Sequence, residues 1–435
     1  MCAPEFHNCS IFDIGHGSNI TINYSNRRKP GQYHLQLQRD NDTANGNSAV
    51  KCRVSVAVLS VTLGIACSGG LHQVAAQSAP DAAVIENSDR LPVIIGSRDY
   101  ALDALIVRRP GMDKLPVALI THGANPGDPR AATTEWLTGW AHDLAHRGWL
   151  AVAVMRRGYG KSEGEVADDA GTCTAPDVGR YLDAHADDLE ATLRSIAQRP
   201  DADMGHVVAI GDSAGGAAVM ALAARSSMRL SAVVNVSGGL GRRLGPFRPD
   251  PACAQYDSDL VWNFARFGST AHMPTLWLYA ENDSWFRPGL VGRLRAAFTG
   301  SGGKAGLVML PPFQGDGHTM FFAPGGRQLL LPELDGFLRA NGLPTWDEAT
   351  FATLLARLPP QDRQSVEAYL RMPTEKALAL GSESGAYWQQ GERTLEDART
   401  KVLAYCRERT KAECSLAADN FDPINQRTPE AKVDH

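Results

Sequence analysis

From about Leu91 onward, the apolar residues of this chain come in short unbroken runs rather than in alternation with polar ones. Pro116–Thr121, Leu150–Val154, Val207–Ile210, Ala232–Val236, Thr275–Tyr279 and Leu307–Leu310 each read as a strand without a polar face. Such a strand must be covered on both sides, and helices supply the cover. Thr134–Arg147, Asp177–Gln198 and Ala214–Ala224 are the helices predicted between the runs. Strand and helix in turn imply a mostly parallel sheet joined by right-handed crossovers. Leu91–Ile95 and Ala104–Val107 add a leading hairpin.

The alternation is interrupted at Gly239–Pro274, a Pro- and Gly-containing stretch that also carries Trp262, Phe264 and Phe267. An insertion there lies over the C-terminal ends of the strands and is expected to form part of a cap. Past Gly342 the pattern changes. Leu343–Pro373 reads as a helical linker, Lys376–Gly381 with Ala386–Gln390 as a hairpin, and Cys414–Ala418 as a short strand. Thr394–Arg409 reads as a helix, because Thr394 can cap it and Glu396 and Asp397 fill its first turn. The expected layout is a main α/β domain over 77–342, with its cap insertion at about 239–274. It continues through a linker over 343–373 and a small C-terminal α+β module over 374–420 to a tail over 421–435.

Near the start, Lys51 and Arg53 precede an apolar run, Val54–Cys67, and Val74-Ala75-Ala76 then offers small residues. Basic, apolar and small in that order is the pattern of a secretory signal peptide, expected over 50–76. The run is about 14 residues long, too short to span a bilayer. Residues 1–49 show no sustained period, and translation is expected to begin near Val50, so that they are not part of the mature protein. The chain is therefore expected to be exported, periplasmic or secreted, with no membrane span once the signal is removed.

With 435 residues, of which 43% are hydrophobic and 21% charged, the composition is that of a globular protein with a sizeable core. A net charge of −5 without a long basic run argues against a nucleic-acid partner, since phosphate binding needs clustered cations. The Arg-Arg pairs at 108–109, 156–157 and 242–243 read as solvated faces. Histidines are scattered and no C-x-x-C occurs, so neither a metal nor another cofactor is expected. Past Ala76 the cysteines are Cys173, Cys253, Cys406 and Cys414. An even number in an exported chain is consistent with two disulfides, expected as Cys173–Cys253 and Cys406–Cys414.

Candidate chemistry centres on Gly211-Asp212-Ser213-Ala214-Gly215-Gly216, which follows an apolar run and opens an Ala-rich stretch. Strand, sharp turn and helix are the context of a nucleophile elbow, in which the order along the chain is serine, acid, histidine. The glycines are needed because side chains there would collide across the turn. Asp283, just past the run ending at Tyr279, is the expected acid, with Glu281 as the alternative. His318, in the Gly-rich stretch after Leu310, is the expected base, and Asp316 is too near it in sequence to be favoured as the acid. The backbone N–H groups of Ala214, beside the serine, and Ala124, in His122-Gly123-Ala124-Asn125, are the expected oxyanion donors.

These motifs, together with Arg156-Arg157-Gly158-Tyr159-Gly160-Lys161-Ser162, resemble the α/β-hydrolase superfamily. Within it they are similar to dienelactone-hydrolase-like and prolyl-oligopeptidase-like serine hydrolases. The likeness covers Leu115–Ala340, about half the chain. It implies an α/β-hydrolase fold, a mostly parallel central sheet with helices on both faces. It also implies that Arg157 and Tyr159 line the site. Dienelactone hydrolases use a Cys nucleophile, so Ser213 favours ester hydrolysis, and a propeller such as prolyl oligopeptidases carry has no room here. The expected activity is cleavage of a small-molecule ester or a peptide through an acyl-enzyme. A peptidase or acyltransferase with the same residues, or an inactive binding protein on this scaffold, are the alternatives.

Overall fold

The computed structural model describes residues 84–424 apart from 113, 126, 168, 226, 228, 242, 246, 247 and 250–252, together with the backbone of three short strands nearer the N-terminus. Those three, Asn8–Phe12, Asn19–Asn23 and Gln36–Arg39, form an antiparallel sheet within a separate unit. The segment expected to be a signal peptide lies outside the described residues.

The main unit is built on eight strands: β1 (Ile85–Ile95), β2 (Arg98–Arg108), β3 (Leu115–Thr121), β4 (Leu150–Val154), β5 (Ala202–Asp212), β6 (Ala232–Val236), β7 (Pro274–Ala280) and β8 (Lys304–Leu310). Their order in the sheet is β8-β7-β6-β5-β3-β4-β2-β1. β2 runs antiparallel to β1 and β4, and every other pairing is parallel. Each predicted apolar run is a strand, and β4 and β6 are buried at every residue, as two covered faces require. The leading hairpin is longer than its apolar pattern suggested, because residues 86–90 at the start of β1 are solvent-exposed and carry no hydrophobic signal.

Helices α1 (Thr138–Ala145) and α6 (Gly326–Ala340) cover one face of the sheet. Helices α2 (Val178–Ile196), α3 (Ala214–Ala223), α4 (Ala254–Gly268) and α5 (Pro288–Gly300) cover the other. The apolar residues of β3 divide accordingly, Val117 and Leu119 toward one core and Ala118 and Ile120 toward the other. The stretch expected to form a cap contains α4, whose Leu260, Phe264 and Phe267 join the core, while Trp262 points out to solvent. α3 is buried along its whole length and holds only Ala, Gly, Val, Met and Leu, which is how it fits into the centre of the fold.

C-terminal to α6, helices α7 (Ala352–Arg357) and α8 (Pro360–Leu370) lead to a small antiparallel sheet. It comprises β9 (Ala377–Gly381), β10 (Ala386–Gln389), β11 (Cys414–Asp419) and β12 (Asp422–Pro423), in the order β10-β9-β11-β12. Helix α9 (Leu395–Thr410) packs on it. Thr394 caps α9 by accepting a hydrogen bond from the Asp397 N–H at 3.1 Å. Among the described residues, no helix is long and apolar enough to cross a membrane.

Candidate active site

β5 ends at Asp212 and α3 begins at Ala214, leaving Ser213 alone on the turn with φ 52° and ψ −122°. A positive φ is costly for a residue with a Cβ and survives only where the surroundings over-determine it. Two bonds do so here: the Ser213 N–H donates to Val236 O, and the Gly239 N–H donates to Ser213 O, both at 3.0 Å. The glycines expected to be steric necessities are so. A Cβ on Gly211 would lie 2.2 Å from the Gly215 carbonyl oxygen, and one on Gly215 would lie 2.2 Å from that of His122.

His318 and Asp283 reach the same place from the ends of β8 and β7. His318 Nε2 is 3.1 Å from Ser213 Oγ, and His318 Nδ1 is 3.2 and 3.3 Å from the two oxygens of Asp283. Asp283 is almost fully buried, and one of its oxygens also accepts the N–H groups of Trp285 and Phe286 at 2.8 and 2.9 Å. Burial opposes a charge on His318, but the hydrogen bond and the charge of Asp283 outweigh it and hold the imidazole above its ordinary value. Trp285 and Phe286 flank the ring, with centroids 5.8 and 5.6 Å away.

Glu281 is exposed and makes no hydrogen bond to His318 among those described. Asp316 ties the two loops together. It accepts the His318 N–H at 3.0 Å, and the Ser284 N–H and Oγ–H at 2.9 and 2.5 Å.

Ala214 is buried at the first position of α3, directly after Ser213. Ala124 follows Gly123, whose Cα packs so closely on the elbow that a Cβ would lie 3.0 Å from Ser213 Cβ. Arg157 and Tyr159 are placed differently from what the resemblance implied. Tyr159 is only 1% exposed, its ring against His122 at a 4.5 Å centroid distance. Arg157 is taken up by Asp188, through its N–H at 2.9 Å and its Nε at 2.5 Å. Tyr159 is thus shut off from solvent, while Arg157 stays partly exposed in its ion pair with Asp188.

The reading of 156–157 as a solvated pair is also corrected. Arg156 is fully buried, and Arg157 is paired in the partly buried bridge to Asp188. Asp212, which the sequence reading passed over, is buried as well. Its Oδ1 finds no partner, and burial pushes the carboxyl up to about 7, with the charge of Asp283 adding to the rise and His318 and Arg156 opposing it. Position within a glycine-serine motif gave no hint of either burial.

The four cysteines among the described residues are bonded in two pairs. Cys173, in the loop after β4, joins Cys253 at the N-terminus of α4, with Cα atoms 4.3 Å apart. Cys406 in α9 joins Cys414 in β11 across 6.2 Å. Among the described residues no group of His, Cys, Asp or Glu is arranged to hold a metal ion.

The strand order, the serine elbow between β5 and α3, and the acid and histidine beyond β7 and β8 define the α/β-hydrolase fold. The main unit of this chain has that fold. Residues 99–253 match the family model of Peptidase S15, the X-Pro dipeptidyl-peptidases, over just more than a third of the chain. Three solved structures are similar to it at low identity. An esterase from Pyrococcus furiosus is 14% identical, with a TM-score of 0.41, over 58% of this chain and 90% of that one. An acylaminoacyl peptidase from Pyrococcus horikoshii is 15% identical, with a TM-score of 0.42, over 60% of this chain and 43% of that one. Est1E from Butyrivibrio proteoclasticus, solved with ferulic acid bound, is 16% identical, with a TM-score of 0.40, over 57% of this chain and 98% of that one.

Proposed function

We propose that this hydrolase cleaves carboxylic esters through an acyl-enzyme, with Ser213 as nucleophile, His318 as base and Asp283 as the acid that orients the base. The observation that carries the reading is the unbroken chain from Ser213 Oγ to His318 Nε2 at 3.1 Å and from His318 Nδ1 to Asp283 at 3.2 Å. His318 takes the proton as Ser213 Oγ attacks the carbonyl carbon, and returns it to the leaving alkoxide. The N–H groups of Ala214 and Ala124 receive the oxyanion of the tetrahedral intermediate. Water, deprotonated by His318, then releases the acid and restores Ser213.

The match of residues 99–253 to X-Pro dipeptidyl-peptidases supports a second reading, in which the scissile bond is a peptide bond. Turnover of short p-nitrophenyl esters against Xaa-Pro p-nitroanilides separates the two. An organophosphorus probe should label Ser213 covalently. Ser213→Ala should abolish labelling and turnover while the fold persists, since Ala removes no core contact. A folded Ser213→Ala protein that hydrolyses esters at the wild-type rate would end this proposal.

We also propose that the chain is exported. Two disulfides and the pattern over 50–76 support that reading. N-terminal sequencing of the protein recovered from the native host tests it, and an N-terminus upstream of residue 50 in the mature protein would overturn it.

A further inference from the structure

The least expected group near the site is the guanidinium of Arg156. It is fully buried, and no described carboxylate forms a salt bridge with it. A buried charge is expensive unless every donor is satisfied. Arg156 meets most of that demand with neutral acceptors, reached from all three of its side-chain nitrogens. Its Nη1 donates to Thr121 Oγ1 at 2.7 Å and to the His122 carbonyl at 2.5 Å, its Nη2 to the Gly123 carbonyl at 3.1 Å, and its Nε to His185 Nδ1 at 3.0 Å.

The histidines around it are held neutral, His122 and His185 both falling well below their ordinary values through burial and the Arg156 charge. Their tautomers follow from the bonds. His122 Nδ1 lies 2.6 Å from the Gly123 carbonyl and must carry the proton, which leaves its Nε2 to accept the Arg156 N–H at 3.3 Å.

Two donors therefore converge on one carbonyl, that of Gly123. In a trans peptide the C=O and the following N–H point in opposite directions, and no cis peptide occurs among the described residues. With the Gly123 carbonyl turned inward to Arg156 and His122, the Ala124 N–H is turned away from them. Gly123 itself rests on Ser213. On the other side Arg156 touches the elbow, since a Cβ on Gly215 would lie 3.1 Å from its Nη1.

We infer that Arg156 is a positioning residue for the oxyanion hole, locking the Gly123–Ala124 peptide so that the Ala124 N–H faces the carbonyl oxygen of the substrate. The inference rests on the serine mechanism proposed above. A cation bonded to the carbonyl end of a peptide also polarises its N–H end, and in a buried setting that strengthens the donor.

The test uses the full-length chain, with Arg156→Met and Arg156→Lys. Loss of one oxyanion donor costs about 10²–10³ in kcat. Arg156→Met should fall by about that factor with KM within about threefold, and a boronic acid that forms a tetrahedral adduct on Ser213 should lose affinity by a similar factor. Arg156→Lys keeps the charge and up to three donors. It should remain folded and lie between the two, which keeps the test open if Arg156→Met does not fold. A folded variant with wild-type kcat and boronate affinity would overturn the inference, as would a loss confined to KM. Ser213→Ala in the same assay separates the outcomes. If it is inactive while the Arg156 variants are unimpaired, only this inference fails; if it is active, the serine mechanism fails first.

Discussion

The catalytic sheet and the C-terminal module solve the same problem, holding a chain in one conformation, by different means. Around the elbow the means is apolar bulk. α3 has no polar side chain and β4 and β6 have no exposed residue, and this core packs behind Ser213, whose positive φ two backbone hydrogen bonds hold.

The module has less such bulk, two small apolar clusters, and it buries polar groups beside them. Lys376 is fully buried and donates to the carbonyls of Tyr369, Leu370 and Met372 at 2.8, 3.1 and 2.9 Å, the last turn of α8 and the residues just beyond it. Its Nζ also sits 4.0 Å from the centre of the Phe421 ring. Glu375 bonds His142 and His146 of the catalytic domain at 2.9 and 3.3 Å, and Asp143 accepts the Thr374 N–H and hydroxyl at 2.6 and 2.8 Å. A large core stabilises without direction and can hold a strained residue. A small one depends on directed contacts, each of which can be removed singly.

The sharpest break in the comparison comes from the catalytic side. Asp283→Asn should lower kcat by about 10⁴ by leaving the imidazole in the wrong tautomer. The melting temperature should hardly move, because an amide oxygen can still accept the Trp285 and Phe286 N–H groups. Glu281→Gln should leave the rate within about twofold. If Glu281→Gln proves the more damaging change, the acid has been misassigned.

Next in size is Glu375→Gln, whose effect should be on stability and not on the chemical step. Burial works against the Glu375 charge, yet the bonds from His142 and His146 hold its carboxyl down at about 2. A depressed acid contributes stability that is complete above its unfolded value near 4.5 and is lost as pH falls toward 2. His142 is raised by Glu375 and Glu86 against the effect of burial, so its contribution is complete below 6.5 and fades as pH rises past its folded value. The contact should be strongest between those limits. Glu375→Gln should cost on the order of 3 kcal/mol there and progressively less below pH 4. Thermal unfolding from pH 3 to 8 gives the profile, and an equal loss at every pH would show that the charges are not the cause.

Cys406→Ser follows. Closing so short a loop is worth about 2–3 kcal/mol by chain entropy. The loss should appear as earlier protease cleavage within α9 and β11, with ester turnover retained. Unchanged protease resistance would mean that the apolar contacts of Val402 and Ala398 suffice for the module.

What could be read from the sequence follows the same division. Runs such as Leu150–Val154 announce themselves because both faces must be apolar, and the elbow does because Gly211 and Gly215 have no steric alternative. Asp283 and His318 are marked by lying just past strands. Arg156 and Asp212 were not legible. An Arg-Arg pair looks like a surface, and only the fold reveals that carbonyl oxygens surround one of the two. Arg157 and Tyr159 were placed by motif, and a motif does not say which side of a loop faces the interior. The exposed start of β1 shows the converse, a regular strand with no hydrophobic signature.

The last prediction concerns Asp212, buried against the elbow with its Oδ1 unpartnered. Its carboxyl is raised to about 7 from 3.8, so the folded state favours the neutral acid. For a raised acid, stability is complete below the unfolded value and declines as pH rises toward the folded one. Wild-type protein should therefore lose stability from this group between about pH 4 and pH 7, and Asp212→Asn should not. The difference in melting temperature, variant minus wild type, should climb across that window and level off above it. The negative charge of Asp212 is also among the groups that raise His318. Removing it should move the ascending limb of the kcat/KM profile to lower pH by a fraction of a unit, with the plateau nearly unchanged. A melting difference that stays flat from pH 4 to 8 would place Asp212 in contact with water and remove the case for a neutral carboxyl beside Ser213.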